Sequence, residues 1–192
     1  MKNITFVVVL SLCAVQTACA QHDSHTATEQ AKSTKTPVSV DLGKVNADTK
    51  KQLIALNVAY FALKDALVAT DAQATSTKAT DFLTALKGVD VAKMSTKQQA
   101  FLASLLPEME EDAKHISSNV EIGHQRGHLN RISNHLFAID KAFKANKATI
   151  YQQFCPMAFN DKGAFWLSDK KEIRNPYFGD KMLKCGKVTD TF

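Results

Sequence analysis

The sequence of 192 residues contains none of the short motifs that most often carry catalysis. It has no Gly-x-Ser-x-Gly nucleophile turn, no Cys-x-x-Cys pair, no glycine-rich phosphate loop and no His-Glu-x-x-His zinc motif. A cysteine nucleophile would need a neighbouring base, and no spacing in the chain requires one. These absences predict that the protein is not an enzyme.

The chain also lacks a hydrophobic run long enough to cross a membrane. Its apolar stretch at residues 4–15 falls short of the roughly 20 residues that a spanning helix needs. Lys2 precedes this stretch, and the small residues Ala18 and Ala20 follow it, which is the pattern of a secretory signal. We therefore expect residues 1–20 to be a signal peptide, cleaved after Ala20, and the protein to reach the periplasm.

A lipid anchor is an alternative end to the same export signal. In that case Cys19 becomes the acylated first residue of a lipoprotein on the outer membrane, although Gln16 stands where an aliphatic residue is usual. Under either alternative the protein leaves the cytoplasm. Cys155 and Cys185 then remain as an isolated pair in an oxidising compartment.

Charge of one sign is not concentrated anywhere along the chain. The net charge of +5 comes from scattered lysines with acidic residues among them, so a nucleic acid is not an expected partner.

Residues 21–48 are rich in Thr, Ser, Lys and Ala and contain no aromatic residue, which predicts a disordered polar tether. Residues 49–192 are expected to form one domain.

Apolar residues at alternating steps of three and four predict helices through most of that domain. We expect a first helix at about residues 49–69 and a second that Asp71 caps and that ends just before Gly88. A third begins with a capping box at Ser95, and a fourth runs over about residues 120–144. Pro107 lies inside the third pattern and should kink or split it. The expected fold is mainly α, an antiparallel four-helix up-and-down bundle. A small irregular or β C-terminal cap should follow at residues 149–192.

The predicted cap contains a cluster of soft sulfur donors. Cys155 and Met157 are two residues apart, and Met182 and Cys185 are three apart. Brought together, these four side chains would suit copper(I) or a similar soft metal ion. The alternative is a structural disulfide between the two cysteines, with the methionines as core filler. The sequence leaves both interpretations open.

Histidines are a weaker candidate for metal binding. His124 and His128 are four residues apart on the fourth predicted helix, and His135 follows seven residues later. Helical pairs at this spacing can bind a metal ion, but histidines beside an apolar seam are more commonly partly buried packing residues. A di-iron centre is excluded, because the first two predicted helices contain no glutamate.

The chain resembles DUF3347, a bacterial envelope domain that also occurs attached to periplasmic adaptor subunits of heavy-metal efflux pumps. The resemblance spans about residues 50–188, and its C-terminal motif is the more specific part. It is carried by residues 60–68, Gln125, Arg126, Ser133, Tyr151, residues 155–158, 166–168 and 173–179, Met182, Cys185 and Gly186.

The resemblance implies an association with copper or silver efflux. Cys155, Met157, Met182 and Cys185 match the motif that suggests a metal site, and His128 lies close to Arg126 in the shared helix. Our leading hypothesis is a periplasmic or envelope protein that binds copper(I), with a pump adaptor as partner. The competing hypothesis is an interaction module without metal. In it a Cys155–Cys185 disulfide locks the cap, and an aromatic surface docks on another envelope protein. That surface includes Tyr177 and Phe178.

Overall fold

The computed structural model describes residues 40–192, so the predicted signal peptide, Cys19 and most of the predicted tether lie outside the described residues. The described chain is mainly helical and ends in a small antiparallel sheet. Its elements are α1 (Ala47–Val68), α2 (Ala72–Lys87), α3 (Thr96–Ala103), α4 (Leu106–Ser118), α5 (Ile122–Phe143), β1 (Tyr151–Cys155), β2 (Ala164–Ser168) and β3 (Lys187–Thr191). Within this part of the chain no helix combines the length and the apolar character that a membrane crossing requires.

Side-chain caps begin the helices where the sequence predicts them. The Asp71 carboxylate accepts a hydrogen bond from Ala74 N at the start of α2. Ser95 and Gln98 form the expected reciprocal capping box at the start of α3. Each cap satisfies backbone N–H groups that have no partner inside the helix, so a local signal sets these boundaries.

Pro107 splits the predicted third helix instead of kinking it. Helix α3 ends at Ala103 and α4 begins at Leu106, which places Pro107 in the first turn of α4. A proline is tolerated there because an N–H in the first turn has no helical acceptor in any case. The described chain therefore contains five α-helices where the periodicity predicted four.

The predicted leucine seams form the core. Helix α1 packs on α2 and α5, α2 packs on α4, and α4 packs on α5. Leu105 is only partly buried, because it lies at the break between α3 and α4. The fully buried seam residues are Leu53, Leu56, Tyr60, Leu63, Leu67, Phe82, Leu102, Met109, Ile116, Leu129, Ile132, Leu136 and Ile139.

Residues before 49 also make contacts with the helical domain. Leu42 N donates to Ala142 O at 3.1 Å, and Gln98 Nε2 donates to Leu42 O at 3.1 Å. The Asp41 carboxylate is paired with Lys144 at 2.9 Å. The last residues of the predicted tether therefore lie against α3 and the end of α5.

The C-terminal cap is a three-stranded sheet in the order β2-β1-β3, with β1 antiparallel to both neighbours. In the sequence, Ile150 with Tyr151 and the segment at residues 165–167 favour two extended pieces, which correspond to β1 and β2, whereas no pattern predicts β3. The turn from β1 to β2 contains three successive non-glycine residues with positive φ: Phe159, Asn160 and Asp161. Leu167 N of β2 donates to Tyr60 Oη of α1 at 3.0 Å, which fastens the sheet to the helices.

Candidate metal centre

The two cysteines of the cap converge in the folded chain. Cys155 is the last residue of β1 and is fully buried, whereas Cys185 lies just before β3 and is partly exposed. Both are free thiols, and their Sγ atoms lie 3.1 Å apart. The two sulfur atoms are therefore close together, as both the copper and the disulfide hypotheses require.

Asn175 and Gly186 hold the Cys185 side of this pair. The Asn175 side chain is completely buried, and its Nδ2 donates to Cys185 O at 2.8 Å. Gly186 has a φ of +147°, and a Cβ atom added to it would lie 2.8 Å from the Trp166 ring and 3.0 Å from Phe154 O. Glycine at this position lets the chain after Cys185 approach β1 closely.

The hydrogen bond with Cys155 raises the pKa of the Cys185 thiol, and burial adds to the effect. Cys185 is therefore protonated at neutral pH. A thiophilic ion must displace that proton to bind, because the thiolate is the ligand form of cysteine.

The two methionines lie on the flanks of the thiol pair along the chain. Met157 follows Cys155 by two residues and is 47% exposed. Met182 is partly buried, and Cys185 N donates to Met182 O at 3.0 Å, so these two residues share one backbone turn. The structure brings the thiols together, and it places one thioether in the local turn of Cys185.

A second cluster, of imidazoles, lies between α4 and α5. His124 and His128 of α5 meet His115 of α4, and the nearest candidate ligand atoms of the three lie within 4.8 Å of one another. The His115 and His128 rings are stacked, with centroids 4.6 Å apart and planes at 6°. The His124 and His128 centroids are 4.7 Å apart.

His115 was missed as a metal candidate in the sequence. It belongs to a different helix from His124 and His128, and the chain reverses between them at residues 119–121. The sequence signal at His115 is its position three residues after Asp112, a spacing that also occurs in di-iron bundles, which the lack of glutamate in the first two helices excludes. Recognising the cluster required knowing which face of α4 packs on α5.

His128 is held by the carboxylate of Asp112. His128 Nδ1 and Asp112 Oδ1 are 2.7 Å apart, and Asp112 is completely buried. Arg131 donates two hydrogen bonds to the same carboxylate, Nε to Oδ2 at 2.5 Å and Nη2 to Oδ1 at 2.7 Å. The guanidinium therefore neutralises the buried charge.

His135 does not join the cluster. Seven residues separate it from His128, which is about 10 Å along a helix axis. Its Nε2 lies 2.8 Å from Glu108 Oε2 of α4, so it makes a hydrogen bond near the surface and not a contact with the other imidazoles. His124, in contrast, has a lowered pKa, because burial and the neighbouring His128 and His115 disfavour its charged form.

Comparison with known proteins identifies a family but no characterised relative. The family DUF3347, described as a protein of unknown function, matches residues 56–148. No curated protein and no solved structure matches the chain. The matched segment ends before β1, so it includes the three clustered histidines and excludes Cys155 and Cys185. The family match thus rests on the helical part of the chain, whereas we expected the C-terminal motif to be the more specific part of the resemblance. The match over residues 56–148 supports the DUF3347 assignment suggested by the resemblance in the sequence.

Proposed function

We propose that this protein binds a soft metal ion, copper(I) in particular, through Cys155 and Cys185 and takes part in metal homeostasis or efflux in the bacterial envelope. One observation carries the proposal: two free thiols thirty residues apart in sequence have sulfur atoms 3.1 Å apart. Thiolates and thioethers are the donors that select copper(I) over hard cations such as calcium and magnesium.

The surroundings of the pair fit an ion that must be taken up and released. Cys155 is anchored in a strand and fully buried, while Cys185 is partly exposed and lies in a turn. One sulfur therefore presents a fixed position and the other can adjust as the ion enters. Met157 and Met182 are the available thioether ligands, and Met157 is reachable from solvent.

The envelope location and the partner follow from the sequence. Residues 1–20 have the pattern of a signal peptide, with Cys19 as an alternative lipid anchor. The resemblance to domains on heavy-metal efflux adaptors suggests such an adaptor as the partner that receives the ion.

We also propose that the long helices form the antiparallel up-and-down bundle expected from the sequence. The ring of contacts α1–α2–α4–α5–α1 supports this arrangement.

A module locked by a disulfide is the second candidate function, and the same sulfur distance favours it. Formation of the bond would join β1 to the chain entering β3 and leave no thiolate for copper. Its docking surface would differ from the one expected from the sequence. Tyr177 is only 7% exposed because its ring packs on Trp166 and its hydroxyl donates to Phe165 O. Met157 and Phe159, at 47% and 37% exposure, are the exposed large apolar residues of the cap.

Anaerobic titration with copper(I) against a chromophoric competitor tests the first candidate. The reduced full chain should bind one copper(I) tightly, and Cys155→Ser and Cys185→Ser should each lose most of that affinity. A Met182→Ala variant that kept full affinity would remove this thioether from the site and leave a thiolate pair. Two unreactive cysteines in protein isolated from the periplasm, with no copper(I) uptake after reduction, would favour the disulfide module instead.

A further inference from the structure

We propose a second metal site, separate from the thiol pair, in which His115, His124 and His128 bind one divalent transition ion of the zinc(II) or copper(II) class. This site goes beyond the proposed copper(I) function in residues, ligand chemistry and type of ion. Neutral imidazole is a borderline donor that suits zinc and copper and gives no advantage to calcium or magnesium.

The geometry is close to that of a three-histidine site. Around a tetrahedral ion with metal–nitrogen bonds of about 2.0–2.1 Å, two ligand nitrogens lie roughly 3.4 Å apart. The three imidazoles already have candidate ligand atoms within 4.8 Å of one another. These separations exceed that spacing by at most about 1.4 Å, and His115 is exposed, so rotation of its side chain can bring its ligand atom closer.

The stacking of two rings defines the movement that binding requires. The lone pairs of the His115 and His128 rings lie in nearly parallel planes, so they cannot converge on one ion while the rings stay stacked. An ion must therefore draw His115 out of the stack, while His128 stays in place. Metal binding should therefore shift the NMR resonances of the His115 ring.

Asp112 gives His128 the surroundings of a metal ligand. Metal-binding histidines usually donate their second ring N–H to a carboxylate, which fixes the tautomer and the ring orientation. Arg131 donates two hydrogen bonds to the same carboxylate and balances its charge. In the tautomer in which His128 Nδ1 donates to Asp112, Nε2 carries the lone pair of the ring.

A purely structural role accounts for less of this arrangement. A packing histidine needs one partner and a buried ring, which describes His128 alone. His115 and His124 are not buried, yet their ring centroids lie 4.6 and 4.7 Å from that of His128, His115 from α4 and His124 from one turn earlier on α5. His115 also lines an open groove with Pro107, Glu110, Glu111, Lys114 and Ser118 on α4. A set of three protein ligands, one of which lines an open groove, matches a site that exchanges its ion or keeps a position for a further ligand.

The site contains no sulfur, so it should work in the oxidised protein. This property separates it from the copper(I) proposal, whose thiolates disappear when a disulfide forms. The two proposals can therefore fail independently, and a Cys155→Ser/Cys185→Ser variant should retain the histidine site.

The experiment uses the full mature chain with Cys155→Ser, Cys185→Ser, His22→Ala and His25→Ala. The last two changes remove histidines that lie outside the described residues and could bind metal on their own. Calorimetric titration with zinc(II) should give one ion per chain. Cobalt(II) should produce the visible absorption of a low-symmetry, nitrogen-rich site. Addition of zinc(II) should shift the His115 and His124 ring resonances in an NMR spectrum.

His115→Ala and His124→Ala should each weaken zinc(II) binding by about tenfold or more, and the double variant should abolish binding at micromolar concentration. Neither side chain is buried, so both variants should keep the wild-type circular dichroism. His135→Ala is the matched control on the same helix and should bind as the parent does. Asp112→Asn, which acts through His128, should weaken binding about 10–100-fold without changing stoichiometry. Unchanged zinc(II) affinity in the His115→Ala/His124→Ala variant, or no binding by the parent, would overturn the proposal.

Discussion

The helical part and the C-terminal cap are held together in different ways. In α1–α5 many leucine and isoleucine side chains share the work of burial, and most seam positions are fully buried. The cap has three strands of five residues each and depends on a few distinct contacts. These include Trp166 at its centre, the Asn175 bond to Cys185 and the two facing thiols.

The contacts that stabilise the helical part are therefore redundant, whereas those that stabilise the cap are not. Loss of one seam leucine leaves its neighbours along the helix in place, whereas each cap contact has no substitute nearby. A small unit of this kind needs a crosslink, a metal ion or a surface to pack on. The Tyr60 bond to Leu167 ties the cap to the surface of the helices, and the sulfur pair would add a crosslink on oxidation or a metal site on binding an ion. The candidate copper site thus lies in the part of the described chain that depends on few contacts.

Truncation of the central cap residue should have the largest effect. Trp166 is fully buried and packs on Tyr177. Trp166→Ala should cost about 3–5 kcal/mol of unfolding free energy, since it leaves a large cavity. Urea unfolding followed by circular dichroism measures the loss. Phe159→Ala, at a position 37% exposed, is the control and should cost little. Equal losses in the two variants would mean that the cap does not have the packed centre described.

Oxidation of the thiol pair should come next in size. A bond between Cys155 and Cys185 closes a loop of thirty residues, and in the chain-entropy model it stabilises by about 3–4 kcal/mol. The oxidised protein should unfold at higher urea concentration than the reduced protein, and Cys155→Ser should show no such difference. If oxidised and reduced wild type unfold together, either the crosslink does not form or it strains the cap.

A buried carboxyl in the helical part should make stability depend on pH. Burial raises the pKa of Asp140 to about 7, against the opposing hydrogen bonds from Asn57 and Asn146. Among the described residues, neither Asp140 Oδ2 nor Asn57 Oδ1 has a hydrogen-bond partner, which fits a protonated Asp140.

The folded chain holds this proton more tightly than the unfolded chain, whose aspartate pKa is near 4. Stability should therefore be greatest below pH 4 for this group and fall as the pH rises towards 7, by on the order of 2–4 kcal/mol. Asp140→Asn should remove most of that slope. Urea midpoints at pH 5 and pH 8 for the two proteins measure it, and an equal slope in both would assign the dependence to another group.

The smallest expected effect is a gain in the helical part. Gly127 lies inside α5, and a Cβ atom added there meets nothing within 4 Å. Gly127→Ala should stabilise the fold by about 0.5–1 kcal/mol, because alanine loses less backbone freedom in a helix. Gly123→Ala is the control, since its Cβ would lie 3.0 Å from Glu121 Oε1 in the first turn. A destabilising Gly127→Ala, seen as a lower thermal midpoint, would indicate an unseen contact at that face.

Features that depend on neighbours in sequence were predictable. The Asp71 and Ser95 caps and the leucine seams arise from contacts three or four residues apart, so the printed sequence contains the whole signal. Strand β3 was missed because Val188 is the only apolar residue in its segment Lys187–Thr191. That strand forms because β1 presents an unpaired edge to it, which is information from a distant segment.

The candidate sites divide in the same way. Sequence alone determined which donors the molecule possesses, two thiols beside methionines and histidines at helical spacing, because residue identity sets ligand chemistry. Tertiary structure alone decided which donors meet: Cys155 with Cys185, and His115 with His124 and His128, while His135 pairs with Glu108. The reason is that convergence depends on how helices and strands pack across chain reversals, and packing joins residues that local periodicity does not relate.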